Sequence, residues 1–267
     1  MLVDDMPIAT FESPASPSPR SAARQAHLMH RPATVQEAGH IPDHGQATAA
    51  SSQVFNVRLA DSAGRQQDAG VLLQRMYAWR GYALDPTERQ DRGRVTFYAE
   101  THGELVGTMS LALDLQGRLP ADENFGDRLA PLRRAGRILC EPSRLAIDTG
   151  MSKRVFAALI HISYLYAHQL KRCSDYVIEV NPRHVAFYQR MLGFADVGGE
   201  RICSRVGAPA VLLRLPLDAM GARIRRWGGS FDDPRAERSF YPWFFPVREE
   251  AGISARLAAL CQGEDRT

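Results

Sequence analysis

The stretch DYVIEVNPRHVAFYQRMLGF, residues 175–194, leaves the chain little freedom in how to fold. DYVIEV is a short, largely apolar run of strand length, and reads as a buried strand. Asn-Pro follows at once. Proline has no N–H to give a ladder, but its fixed φ suits the first turn of a helix. An amphipathic segment then runs to Gly193, a residue type that ends helices in the left-handed conformation. A strand that hands over to a helix without a loop belongs in a layered α/β architecture.

A second proline sits inside a second strand, RILCEPSRLAID (residues 137–148). Pro142 cannot donate to a central ladder, so this strand has a bulge or an opened edge there. Between the two strands lies SKRVFAALIHISYLYAHQLK. Phe156, Leu159, Ile160, Ser163, Tyr166, Ala167 and Leu170 recur at helical spacing, with Ser152 placed as N-cap. Strand, helix and strand in this order make a right-handed crossover, which sets the two interrupted strands parallel.

Upstream, residues 54–60 alternate as a short strand, and residues 68–84 carry a helical pattern that Gly81 closes. Residues 94–114 are two β-rich runs around Thr-His-Gly, an antiparallel hairpin. DENFGDRLAPLRRAG reads as a polar connection with a short helix, and residues 208–215 as one more strand. The order is β-α-β-β-β-α-β-α-β, without an internal repeat.

Residues 1–52, rich in Pro, Ser, Ala and His, have too few large apolar side chains to offset the entropy of ordering, and read as a disordered tail. Residues 53–218 form the expected core. Residues 219–267 form an extension expected to pack on it, with a basic segment (MGARIRRWGG) and an aromatic run (SFYPWFFPV).

Composition narrows the classes. The formal net charge is only +3, which does not suggest nucleic-acid binding. Nearly all positive charge is arginine, Lys153 and Lys171 being the only lysines. The four cysteines form no CxxC pair and no metal spacing with histidine, so no metal site is expected. They read as reduced thiols of a cytoplasmic protein. No apolar run reaches the ~20 residues of a membrane span, and the N-terminus has no secretory pattern.

EPSRLAID, IEVNPRHVAFYQRMLGF and APAVLLRL together resemble the general N-acetyltransferase (GNAT) superfamily. Within it they resemble the long-chain N-acyl amino acid synthases (FeeM-type), relatives of the acyl-homoserine lactone synthases. The likeness spans residues 54–217 or so. RMYAWRGY adds a weaker likeness to the first helix of the autoinducer synthases. The resemblance implies an α/β fold: a mixed, mainly antiparallel sheet whose two central parallel strands splay apart, flanked by helices. It also implies an acyltransferase acting on a thioester and an amine.

Such transfer needs a neutral amine, a stabilised oxyanion and a proton for the departing thiolate. By resemblance, pantetheine lies between the splayed strands, and a backbone N–H near Leu145 or Ala146 polarises the thioester carbonyl. Tyr188 is the candidate acid. A phenol of pKa ~10 holds its proton at neutral pH; the bland alternative is a packing tyrosine beside Phe187 and Phe194. Glu141 and Arg144 match the Glu-x-x-Arg of the autoinducer synthases. Glu141 would orient or deprotonate the amine, and Arg144 would hold a carboxylate or carbonyl, unless the two merely pair across the bulge. Asn181 is either a pantetheine ligand or a turn former, and His184 either a base or a helix cap.

Acetyl-CoA enzymes of this fold carry a Gly-rich loop after the bulged strand, whose N–H groups cradle the pyrophosphate. Here that loop is DTGMSKRVF, with Ser-Lys-Arg where the Gly-x-Gly/Ala would be. Ser152, Lys153 and Arg154 suit a single phosphate better. No tightly bound cofactor is expected. The expected donor is the acyl-phosphopantetheine of acyl carrier protein, with acyl-CoA as alternative, and the expected acceptor is an amino acid. An acidic carrier needs a basic docking patch; Arg133, Arg134 and Arg137 are candidates, as are Arg223, Arg225 and Arg226. The aromatic residues 240–247 would line the acyl slot, or strap the core. A wide apolar tunnel beside the splay suits a long acyl chain, and a narrow one suits acetyl. A homoserine lactone synthase, an acetyltransferase and a non-catalytic carrier-binding module are the rival readings.

Overall fold

Apolar runs interrupted by two prolines build a sheet that opens in its middle. In the computed structural model, residues 56–60, 64, 67–72, 93–115, 117–148, 153–203 and 207–264 are described. The expected tail, most of the first helix with RMYAWRGY, and Ser152 lie outside the described residues.

Strands β1 (Asn56–Leu59), β2 (Arg94–Thr101), β3 (Glu104–Leu113), β4 (Leu139–Ile147), β5 (Asp175–Val180), β6 (Ala195–Cys203) and β7 (Ala208–Pro216) form one seven-stranded sheet. Its order is β1-β2-β3-β4-β5-β7-β6. Every neighbouring pair is antiparallel except β4–β5. The parallel pair holds only at Leu139–Asp175 and Cys140–Tyr176, then parts. Each wall of the gap is braced from outside. β3 stays on β4 as far as Ile147, and β7 stays on β5 as far as Val180.

The prolines explain where the gap starts. The Ile138 carbonyl accepts from Ser174 and Asp175 on the β5 side, while the Leu139 carbonyl accepts from Asp114 on the β3 side. Alternation along the strand then aims Pro142 at β5, where its missing N–H breaks the ladder. Pro142 keeps its partner Leu111 on β3, so it marks the opened edge and not the bulge. The bulge falls two residues on. Arg144 and Leu145 oppose the single residue Met109, and Arg144 takes φ 51°.

Helix α1 (Asp122–Arg134) covers one face of the sheet, packing Phe125 and Leu129 with Leu139, Val177 and Leu212. The other face carries α2 (Lys153–Tyr164), α3 (Pro182–Leu192), α4 (Leu217–Trp227) and the larger core. Gly107 lets α2 approach β3 closely: a Cβ there would stand 3.0 Å from Val155 and 3.1 Å from Leu159. Helix α2 runs into a π-helical segment, Leu165–Leu170. Residues Tyr241–Trp243 form a 3-10 turn, and helix α5 (Val247–Glu264) follows. Four elements exceed the sequence reading: α1 is a full helix, β6 is a strand, and helices α4 and α5 build the C-terminal region.

The aromatic residues strap α2 to α3. The Phe240 ring lies 4.4 Å from Phe156, and the Tyr241 hydroxyl donates to the Leu192 carbonyl at 2.6 Å.

Four buried tyrosines bind their protons unusually tightly. Burial pushes Tyr176, Tyr188 and Tyr241 well up, and burial with nearby Glu250 pushes Tyr164 up to about 12. Unfolded, all four ionise near pH ~10. Above that pH the unfolded chain binds fewer protons than the folded one, so stability falls as pH rises. The slope reaches about 1.4 kcal/mol per pH unit for each tyrosine. Denaturant midpoints measured across this range should drop from about pH 10 upward; a flat midpoint would contradict the burial of these phenols.

Candidate active site

The gap between β4 and β5 has two unlike sides. On the α2–α3 side it widens into an apolar cavity of about 20 Å³, room for a water-sized body. Pro142 and Leu145 line it from β4, Tyr176 and Ile178 from β5, Tyr188 and Leu192 from α3. Met220 and Leu215 close its far end. None of residues 240–247 lines it; they lie behind Leu192 as a strap.

Tyr188 stands in this wall because α3 starts directly at the end of β5. The Asn181 side chain accepts from the Arg183 N–H at 3.2 Å as N-cap, and Pro182 occupies the first turn. Asn181 therefore spends its carbonyl on the cap. Tyr188 lies two turns on, 3% exposed, its ring edge-to-face with Phe187 and Phe194. Burial raises its phenol pKa. Packing and access to the cavity coexist here.

Leu145 and Ala146 part company. The Asp148 N–H donates to the Val106 carbonyl at 2.9 Å, which turns Ala146, paired with Thr108, toward β3. Alternation then turns Leu145 toward the gap, so of the two amides it is the one that faces the opening. Arg144 sits in the bulge beside it, in a conformation that non-glycine residues rarely hold outside functional or strained sites.

On the α1 side the same strands present polar groups. Glu141, fully buried, accepts from the Ala121 N–H at 2.9 Å through Oε2. Glu179, also fully buried, accepts from Asn124 Nδ2 at 2.8 Å. Ser143 lies two residues beyond Glu141 on β4 and also borders the apolar cavity, its hydroxyl buried and without a hydrogen-bond partner among the described residues. Glu141 was legible from the sequence. Glu179 and Ser143 were not singled out, though alternation from Glu141 along β4, and from Val177 along β5, places both on this face.

The mouth of the gap is basic. The starts of α2 and α3 both lie at the open ends of β4 and β5, and carry exposed Lys153 and Arg183. His184 sits on the first turn of α3, its Nε2 accepting from Arg183 Nε at 3.1 Å. Arg154 turns elsewhere, its guanidinium 4.2 Å from the Phe231 ring centre. The arginines expected as docking patches are mostly spoken for. Arg133 forks between Asp114 and Asp122, Arg137 binds Asp175, Arg223 binds Glu237 and Arg226 stacks on Trp227.

A sheet that splits between parallel central strands, with a buried carboxylate on one side and a phenol on the other, defines an acyltransferase of the GNAT type. The family model for N-acyl amino acid synthase FeeM matches residues 68–216, and the chain belongs to that family. The solved structure of FeeM, an N-acyl amino acid synthase from uncultured soil microbes, is 27% identical, with a TM-score of 0.58 over 63% of this chain and 94% of that one. A putative N-acetyltransferase from Lactobacillus plantarum is 15% identical, with a TM-score of 0.44 over 61% and 98% of the two chains. An acyl-CoA N-acyltransferase from Pseudomonas aeruginosa is 13% identical, with a TM-score of 0.41 over 60% and 98%. Among curated proteins nothing matches. Among the described residues no helix is long and apolar enough to cross a membrane.

Proposed function

We propose that this N-acyl amino acid synthase moves a long acyl chain from the phosphopantetheine arm of acyl carrier protein to the α-amine of an amino acid. The observation that carries the reading is the two-sided gap. It offers an apolar wall for the acyl chain and a buried carboxylate side for the amine, with the Leu145 N–H facing between the walls.

The amine enters from the α1 side and Glu141 takes its excess proton, directly or through one water. The neutral amine attacks the thioester carbon. The Leu145 N–H stabilises the oxyanion that forms. As the C–S bond breaks, Tyr188 protonates the thiolate, the nitrogen gives up its second proton through water, which restores the phenol, and the amide is released while Glu141 returns its own proton to solvent. Arg144, held in its bulge, orients the acceptor's carboxylate. Lys153 and Arg183 supply positive charge near the mouth for an acidic carrier. Asn181 and His184 shape the start of α3 and act by position.

The loop DTGMSKRVF favours a carrier over CoA, since it lacks the glycines of a pyrophosphate cradle. The narrowness of the cavity favours a second reading, a short acyl group. A long chain requires Met109, Leu192 and Met220 to swing aside; methionine's unbranched side chain suits that motion.

The test is direct. The full chain is incubated with the common amino acids and with carrier-bound or CoA-bound acyl groups of graded length, and products are read by mass spectrometry. Long-chain N-acyl amino acids formed faster from the carrier support the reading. Transfer of acetyl alone, or equal use of CoA, refutes the donor proposed.

A further inference from the structure

A second, larger cavity opens beyond the floor of the first. It holds about 350 Å³, within the range of small-molecule sites, and shares no lining residue with the apolar cavity. Met220 closes one cavity and its neighbour Gly221 borders the other, so the two meet the same turn of α4.

Three helical elements shape it. From α4 come Asp218, Gly221 and Arg225, three and seven residues apart and so on one face. Gly221 is required by the space: a Cβ there would stand 2.5 Å from the Tyr164 hydroxyl. From the end of α2 and the π segment come Tyr164, His168 and Gln169. π turns within helices occur frequently at functional sites. Arg172 follows in a left-handed conformation, φ 58°.

The charges are of both signs and unequally engaged. Glu250 accepts from Gln169 and stands 3.2 Å from His161 Nε2, so it belongs to the wall. Asp218 is largely exposed, with His168 Nε2 at 3.4 Å. Arg172 and Arg225 have no hydrogen bond or ion pair with other described residues. Two exposed guanidinium groups without a hydrogen bond or ion pair among the described residues suit a carboxylate, which they hold through paired N–H donors. An accessible aspartate in the same small cavity suits an ammonium group.

We propose that this cavity binds a small dipolar molecule bearing one carboxylate and one ammonium group, namely a free amino acid, at a site separate from the acyl-transfer gap. The carboxylate meets Arg172 and Arg225, and the ammonium meets Asp218.

Calorimetric titration of the full chain with individual free amino acids tests this, with acetate and methylammonium as single-charge probes. At least one amino acid should bind, and Arg172→Ala and Arg225→Ala should each weaken it tenfold or more. Glu141→Gln, in the transfer gap, should leave that binding in place. Equal binding of acetate, no binding by any amino acid, or unchanged binding in an Arg172→Ala, Arg225→Ala double variant would each overturn the proposal. Acyl transfer assayed on the same samples separates the two ideas. Transfer without this binding sinks the second site alone, and binding without transfer sinks the functional reading alone.

Discussion

Tyr188→Phe should lower kcat by about 10²–10⁴-fold, the usual worth of a positioned general acid, and leave KM nearly unchanged. The substitution keeps the ring, and with it the edge-to-face contacts to Phe187 and Phe194. It removes only the hydroxyl, so loss of activity would not reflect loss of fold. The phenol is a weak acid here, because burial raises its pKa. The same dry wall disfavours a thiolate, whose reference pKa of ~8.5 also rises on burial, so the transfer is less uphill than in water. The raised value has a second consequence. The phenol stays protonated beyond pH ~10, so Tyr188 adds no alkaline limb to the rate profile below that point. An aryl thioester supplies a decisive comparison. Its leaving thiolate is stable without a proton, so the deficit of the variant should shrink with that donor. An equal deficit with both donors, or full activity with the natural one, would remove Tyr188 from proton transfer.

How much of this site could be read from residues alone depends on what kind of signal each part leaves. Prolines leave a strong one. Pro142 and Pro182 announce an opened strand and a strand-to-helix corner, and both stand where the gap and the start of α3 lie. The bulge was legible only as an alternative to an opened edge within Glu-Pro-Ser-Arg, and not to the residue. It is written in the positive φ of Arg144, and no glycine betrays it. Strand β6 was hidden by its own bulge, where Gly198 and Gly199 interrupt the alternation. Gly198 is there because a Cβ would strike Leu212 at 2.6 Å and Phe125 at 2.9 Å, contacts that no local pattern reveals. The arginine clusters misled for a related reason. Arg133 and Arg137 look like one basic patch until the fold brings Asp114, Asp122 and Asp175 against them. Glu179 shows the limit from the other side. Its strand was legible, but its meeting with Asn124, 55 residues away, exists only once α1 is laid on the sheet.

The floor of the apolar cavity should decide which acyl chains the enzyme accepts. Met220 is fully buried on α4 and closes the cavity with Leu215. Met220→Ala removes side-chain volume at the end farthest from the mouth, where added carbons of a longer donor would go. Each methylene newly accommodated contributes about 0.8 kcal/mol, or about four-fold in kcat/KM. Two further carbons should therefore shift the ratio of longer to shorter donor by about fifteen-fold. Met220→Trp should do the reverse and confine the enzyme to short chains. Truncating a buried methionine also loosens the core, by about 2–5 kcal/mol, so general softening must be separated from selectivity. Leu257→Ala is a suitable control. Leu257 is buried in the same core on α5 but does not line the cavity. It should lower stability while leaving the chain-length ratio where it was. An unchanged ratio in both Met220 variants would mean that the acyl chain takes another path out of the gap. A shift in the Ala variant alone would still place the chain against Met220, because the bulk of tryptophan can be refused by a close-packed core for reasons unrelated to substrate.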